Sequence, residues 1–495
     1  MANGLIKKVS DWFKKANITP PKNNMEQQPA EPSQTSSDNF DAEHKHSSRK
    51  SYEKKTYKNR NIEKFESDVL VQVERDDHEL SRNDISPNAL KVLHRLQSNG
   101  FEAYLVGGCV RDLLLDLHPK DFDVVTNATP EQVNQLFSNS RIIGRRFKLI
   151  HVTFGRELIE VATFRANHQE DSNHNQSSRS SEGMLLRDNV YGTIDDDAMR
   201  RDFTINAMYY TSKGFVIRAL PQGLEDLKNK QIRMIGDASA RYREDPVRMI
   251  RAVRFAIKLG FEIEPETANP IYELADLMAN IPPARLFDES LKLILNGKGL
   301  ETFEMLLKFD LFRTLYPQAQ KHIDDDPEGF NLRLFKQALI NTDKRINSGK
   351  SITPAFILAV FLWPELLKVQ QSFIDKGVPA VPAMHQACQK VLTLQAKSAS
   401  IPKRFSFTMR DIWDLQMRLP RRFGKRAEQI LEHQKFRAGF DFVLLREEAG
   451  EDLSGLGAWW QEFQFADKDR KHQMTLALEK DKKKRPPRRS KPKKA

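Results

Sequence analysis

From Ser86 onward the apolar positions alternate between two periods. Leu90, Val92, Leu93 and Leu96 recur at helical spacing behind a Ser86-Pro87 start signal, which predicts a helix over Asn88 to Ser98, stopped near Gly100. Ala103 to Val106 is a short apolar run bounded by turn residues and reads as a strand. Gly107-Gly108 then turns the chain into a helix over Val110 to Leu117. Phe122 to Val125 reads as a strand, Pro130 to Phe137 as a helix, and Phe147 to Phe154 and Leu158 to Phe164 as two strands about Gly155. This order predicts an α/β arrangement over a small sheet.

Asn167 to Gly183 interrupts the pattern with a polar run that contains no apolar residue, and predicts a functional or mobile loop. Beyond Ala198 the period is helical throughout. Helices are predicted over Arg241 to Leu259, Pro282 to Asn296, Leu300 to Phe312, Leu332 to Ile340, Thr353 to Leu367, Ala383 to Ser398, Thr408 to Met417 and Arg426 to Glu432. The fold class expected is α+β: a small mixed-sheet unit, then an all-helical remainder, with disordered termini.

The first 85 residues are basic and polar. From residue 17 they lack the apolar content that offsets ordering entropy, so most of this extension is expected to be disordered. Within residues 1–16, Leu5, Ile6, Val9, Trp12 and Phe13 recur at helical spacing among lysines, which suggests a weak contact with a membrane surface or a partner. Of 495 residues, 79 are Lys or Arg and 67 are Asp or Glu, for a net charge of +12. Lys480 to Ala495 alone holds ten basic residues against Asp481, so most of the excess lies in one tail suited to a polyanion. Two cysteines exclude a disulfide framework and favour a reducing, cytoplasmic compartment. No apolar run approaches the roughly 20 residues of a membrane span, and the apolar run Ala355 to Trp363 reads as a buried helix. The amino-terminal stretch has no long apolar core, so a secretory signal is not expected.

The first chemical signal is Gly107-Gly108 between a strand and a helix that carries Arg111. Glycines let backbone N–H groups approach a phosphate, and Arg111 is expected to reach the same anion. The second is Lys120-Asp121-Phe122-Asp123-Val124-Val125. Carboxylates at i and i+2 of a strand share a face and repel unless a cation lies between them. Hard oxygen ligands suit Mg²⁺, which keeps waters and takes substrate phosphates, so the two signals together point to a metal–triphosphate site. Two-metal phosphoryl transfer calls for a third carboxylate. Glu160, a lone charge in the apolar strand Leu158 to Ala162, is one candidate. Asp202, in Arg200-Arg201-Asp202-Phe203-Thr204-Ile205-Asn206, is the other, with Asn206 four residues on and expected on the same helix face. Asp245 and Arg248, three apart on an expected helix, offer an acceptor beside a donor. That pair matches the amino and ring-nitrogen edge of adenine or cytosine and rejects guanine and uracil; its bland alternative is a salt bridge between the two. Arg251 and Arg254 continue that spacing, and Arg421 and Arg422 lie in a basic, aromatic stretch; all four are candidates to hold RNA phosphates.

Taken in order, the GGxVRD, DxD, RRDFTxN and EDxxR motifs over residues 104–254 resemble the class II nucleotidyltransferases of the DNA polymerase β superfamily, which include bacterial poly(A) polymerases and CCA-adding enzymes. Ile142 to Val152 is similar to the segment that marks the poly(A) polymerases among them. The resemblance implies a catalytic head over residues 86–225, a helical neck with the base-recognition motif over 226–300, and a helical body and leg that bind RNA over 301–470, followed by a basic disordered tail over 471–495. It implies Asp121 and Asp123 as ligands of two Mg²⁺ ions, Asp202 as a further catalytic residue, Gly107, Gly108 and Arg111 as the triphosphate loop, and Asp245 and Arg248 as readers of the base. The activity implied is template-independent addition of AMP from ATP to RNA 3′ ends, in RNA processing and decay; a cytoplasmic monomer is expected, with the weak membrane-surface or partner contact of residues 1–16 resting on their own spacing and not on the resemblance. The alternatives are CCA addition to tRNA at the same site, or an RNA-binding protein that has lost catalysis.

Overall fold

The computed structural model describes residues 69–144, 148–166, 177–179, 185–188 and 190–484. Residues 1–68, and with them the expected amphipathic helix, lie outside the described residues.

The chain enters on strand β1 (Val71–Val73), then helix α1 (Pro87–Ser98), strand β2 (Ala103–Val106), helix α2 (Gly108–Leu114), strand β3 (Asp123–Thr126) and helix α3 (Pro130–Leu136). Strands β4 (Ser140–Ile143), β5 (Leu149–Phe154) and β6 (Glu157–Thr163) follow. Next come a small hairpin, β7 (Ser177–Arg179) with β8 (Leu185–Asp188), helix α4 (Ile194–Arg200), and strands β9 (Met208–Thr211) and β10 (Val216–Ala219). Eight strands form one mixed sheet in the order β1-β10-β9-β2-β3-β6-β5-β4, in which β3 and β6 are parallel and the other pairs antiparallel.

Local chemistry sets these boundaries. Ser86 accepts hydrogen bonds from the N–H groups of Asn88 and Ala89, and Pro87 fills the first helical position, where a missing N–H costs nothing. Thr129 and Gln132 form a reciprocal capping box at the start of α3. One face of the sheet packs against α1 and α3 through Val92, Leu96, Val124, Val133, Ile150 and Val161. The opposite face carries a second apolar cluster of Tyr104, Val106, Val125, Tyr209 and Phe164, covered in part by Ile194 and Ala198 of α4.

Several expectations change. Among the described residues regular structure is present before Ile85: Val71–Val73 pairs with Ala219–Ile217 as an edge strand, and three residues are too short to show a period. The polar run from 167 to 183 includes strand β7, paired with β8. The helix expected over Arg241 to Leu259 is broken into α6 (Ala238–Glu244) and α7 (Val247–Leu259), which follow α5 (Pro221–Lys228). Pro246 forces the break: the residue before a proline is pushed out of the helical region, and Asp245 is extended at φ −147°, ψ 94°.

Beyond α7 a two-residue strand, Glu262–Ile263, pairs in parallel with Gln231–Ile232, and the chain is then helical, through α8 (Pro265–Leu274), α9 (Pro283–Ile294) and further helices to Lys468–Lys484, so part of the tail expected to be disordered is a helix. The buried indoles of Trp413 and Trp460 donate to the carbonyls of Ala359 and Leu419. Pro354–Phe361 is buried, as its composition implies, and bends by 54° into Trp363–Asp375; among the described residues no single helix is long and apolar enough to cross a membrane. Both cysteines are buried and free.

Candidate active site

Gly107 sits at φ 72°, ψ −122°, a conformation that strains any L side chain. A Cβ there would lie 3.3 Å from Arg201 Nη1 and 3.4 Å from the Asn206 carbonyl. The glycine therefore lets the turn between β2 and α2 lie flat against the RRDFTxN segment. The cation behind this turn is Arg201. Burial alone would lower its pKa, but Asp197, at 2.8 Å, and the Tyr209 hydroxyl, which accepts from Nε at 2.9 Å, hold it firmly charged. Arg111 does not take the expected position. Its guanidinium is buried and donates to Asp112 Oδ1 (2.8 Å from Nε) and Asn206 Oδ1 (2.6 Å). It binds α2 to the RRDFTxN segment and is not exposed to an anion. Three guanidiniums, those of Arg111, Arg251 and Arg254, surround the ring of Phe255 at 5.3, 5.4 and 4.6 Å. Phe255 in turn packs edge-on against Phe203 at 5.8 Å, which ties helix α7 to the RRDFTxN segment.

The carboxylates meet on the face of the sheet opposite α1 and α3. Asp123 and Glu160 are register partners on the parallel pair β3–β6, so their side chains stand side by side, and Asp121 lies at the entry to β3. Asp123 stays accessible to solvent, yet the protein around it, then Glu160 and Asp121, push its carboxyl up to about 6, against the pull of Arg201. Like charges crowded in this way are relieved by a bound cation. Among the described residues no three metal-ligating side chains close on one point. Two exposed carboxylates with open coordination sites fit a hard divalent ion that draws its other ligands from water and phosphate, as Mg²⁺ does.

Asp202 is not on a regular helix with Asn206, as the spacing suggested. It precedes a single 3₁₀ turn, Thr204–Asn206, and the two still meet, Asn206 Nδ2 donating to Asp202 Oδ1 at 3.0 Å. Burial would raise the Asp202 carboxyl, but Arg251, Asn206 and the Phe203 N–H outweigh it and hold it at about 2. Arg251 bonds Asp202 Oδ2 at 2.8 Å through Nε. Neither residue is therefore in the open role expected of it: Asp202 is a largely covered partner of Arg251, and Arg251 is not a free phosphate contact. Glu160 is the carboxylate that stands next to the Asp pair.

On either side of Pro246, the side chains of Asp245 and Arg248 do not pair with each other. Asp245 caps the end of α6 and is bonded by Arg285 of α9 at 2.7 Å. Arg248, in the first turn of α7, donates to Glu244 at 2.9 Å and to the Arg241 carbonyl at 2.8 Å. Glu244 also holds Arg241, whose other nitrogen donates to the carbonyls of Arg200 and Arg201 at 2.6 and 2.7 Å. Acceptor and donor thus remain neighbours across the proline break, each steadied by its own partner. Burial foremost, then repulsion from neighbouring arginines, lowers Arg200 to about 9 and Arg241 to about 10, and Arg165, Arg200, Arg241 and Arg248 lie close enough together to make a positive field. Such a field suits a polyphosphate. Arg285 gave no signal in the sequence, because its partner lies 40 residues away.

Of the other candidates, Arg254 is half-buried on Phe255, Arg421 is exposed, and Arg422 stacks over Trp459 at 5.1 Å.

Family models match three parts of the chain: the poly A polymerase head domain over residues 103–233, the probable RNA and SrmB-binding site of polymerase A over 260–323, and the polymerase A arginine-rich C-terminus over 376–495. The chain is 50% identical over 401 residues to poly(A) polymerase I of Escherichia coli O6:H1, covering 80% of this chain and 86% of that one. It is 46% identical over 420 residues to poly(A) polymerase I of Haemophilus influenzae, covering 84% and 92%. Among solved structures, the Bacillus stearothermophilus CCA-adding enzyme in complex with CTP shares the fold, with a TM-score of 0.51 at 24% identity over 80% of this chain and 84% of that one. The order of motifs, the sheet that carries the carboxylates and the extent of this likeness agree, and the chain belongs to the poly(A) polymerase I family of nucleotidyltransferases.

Proposed function

We propose that the chain adds AMP from ATP to RNA 3′ ends without a template. The observation that carries this reading is the row of Asp123 and Glu160 beside Asp121, crowded enough to raise a carboxyl and lying on the same sheet as the glycine turn. The high identity to poly(A) polymerases along most of the chain favours adenylate tails over CCA ends.

In the reaction, the RNA 3′-hydroxyl oxygen attacks the α-phosphorus of ATP, the bond to the β-phosphate oxygen breaks, and pyrophosphate leaves in line. Asp121 and Asp123 would hold the two Mg²⁺ ions, which ease loss of the hydroxyl proton and neutralise charge on the leaving group when bound. Glu160 stands as the third carboxylate toward the hydroxyl, a role supported by its register with Asp123. Gly107 and Gly108 leave the turn bare for the triphosphate, with Arg201 as the fixed cation behind it. Arg111, Asp202 and Arg251 keep head and neck in register, so that the base reaches Asp245 and Arg248. There the Asp245 carboxylate accepts from the adenine amino group and Arg248 donates to the ring nitrogen. Arg254, Arg421 and Arg422 are proposed contacts to RNA phosphates.

The test is incorporation of labelled ATP or CTP into a generic RNA with a free 3′ end, with Mg²⁺ present or removed. Long tails from ATP alone support the reading. Short ends that require CTP and then ATP would instead assign CCA addition, and no incorporation would assign an RNA-binding role.

A further inference from the structure

The row that begins with Asp123 and Glu160 does not end there. On the other side of Glu160, strand β5 is antiparallel, and the residue in register is His151. Its Nε2 lies 3.3 Å from Glu160 Oε1. Beyond it, on β4, the register partner of His151 is the exposed Arg141. Four adjacent strands thus carry Asp123, Glu160, His151 and Arg141 in one line across one face, running from anionic to cationic. Cross-strand neighbours on one face are the pairs that interact in a sheet.

Glu160 needs such a partner. Its side chain is 45% exposed and ends in a freely turning carboxylate. Asp123 lies beside it with like charge, and each pushes the other away. Rotamers that swing the Glu160 carboxylate toward solvent relieve this repulsion and take it out of the site. His151 is only 23% exposed and rises from a strand paired on both sides, so it presents a nitrogen on the far side of Glu160.

We propose that His151 is a positioning residue for the reaction: it holds one carboxylate oxygen of Glu160 in the strand row and so keeps the other toward the Asp pair and the attacking hydroxyl. The inference rests on the reading of Glu160 as the third carboxylate. It gives a physical task to a residue within the segment Ile142 to Val152, which neither binds the triphosphate nor reads the base in the scheme above.

The experiment compares His151→Leu, which removes the donor, with His151→Gln, which keeps an N–H at similar reach, each in the full chain with ATP and a defined RNA. His151→Leu is expected to lower kcat about tenfold, with KM for ATP and for RNA within about twofold of wild type, and His151→Gln to recover most of the loss. In Glu160→Asp, whose shortened side chain no longer meets Nε2, His151→Leu should add nothing. His151→Ala takes the place of the leucine variant if that protein does not fold by circular dichroism. An unchanged kcat in the donor-free variant, a rise in KM with kcat preserved, or an equal further loss in the Glu160→Asp background would overturn the proposal. Glu160→Gln separates this from the reading beneath it: if that variant keeps wild-type kcat, Glu160 is not the third carboxylate, whereas a dead Glu160→Gln beside a normal His151→Leu sinks only the role of His151.

Discussion

Arg251, on the helix after the proline break, closes two nitrogens on a single oxygen of Asp202, at 2.8 and 2.5 Å. The contact joins segments 49 residues apart and fixes how the helical part meets the sheet. Replacing Arg251 with Met leaves a buried carboxylate unpaired. The expected loss is at the low end of about 3–5 kcal/mol, since Arg251 is about a third exposed. Asp202→Asn combined with Arg251→Met should recover part of it, because no unpaired charge then remains. Urea unfolding of the three proteins measures this.

The same pair sets a pH dependence. The Asp202 carboxyl is held at about 2 in the folded protein, below its ordinary value near ~4. Its contribution to stability is therefore complete above about pH 4 and is lost as the pH falls toward 2. Asp202→Asn should flatten the acid limb of a stability profile in that window. An unaltered limb would show that other carboxylates govern it.

Asp123 behaves in the opposite sense. Its folded carboxyl is raised to about 6, so without metal its ionisation opposes folding as the pH rises through the interval from about 4 to 6. Asp123→Asn should raise Tm of the metal-free protein by a few degrees at most at pH 7.5, and less at pH 4. The same variant, like Asp121→Asn, should abolish AMP addition. Retention of more than about a tenth of wild-type kcat, a loss under ~1.4 kcal/mol, would remove these residues from the site.

Base selection should be separable from the neck's own ion pairs. Asp245→Asn presents an amide in place of the acceptor and is expected to lower kcat/KM for ATP by about 1–3 kcal/mol in transition-state terms. Arg285→Ala frees the Asp245 oxygen that it now holds, and should change KM for ATP more than kcat. RNA binding measured by filter retention should stay level in both.

Removing residues 485–495 takes away six basic residues. The slope of log affinity for RNA against log salt should become shallower by up to ~4, with KM for ATP unchanged. A constant slope would show that the phosphates are held elsewhere.

The sequence alone determined the elements and the chemistry that depends on neighbours along the chain. Strand β2 and helix α1 follow from periods of two and of three to four residues, which are properties of a local backbone. The motif order was sufficient to identify the superfamily. Partners that lie far apart in the chain were decided only by the tertiary structure. Nothing local distinguishes a buried Arg111, bonded to Asn206 95 residues away, from an arginine free to meet a phosphate. The resemblance pointed to Asp202 with Glu160 as a second candidate, and only the tertiary structure shows that the register sets Glu160 beside Asp123 while packing sets Arg251 on Asp202. Asp245 found Arg285 because Pro246 broke a helix whose apolar period ran on unbroken. An ionisable side chain takes its role from the charges and solvent around it, and in this protein those are assembled across the sheet and between head and neck, where no spacing in the sequence records them.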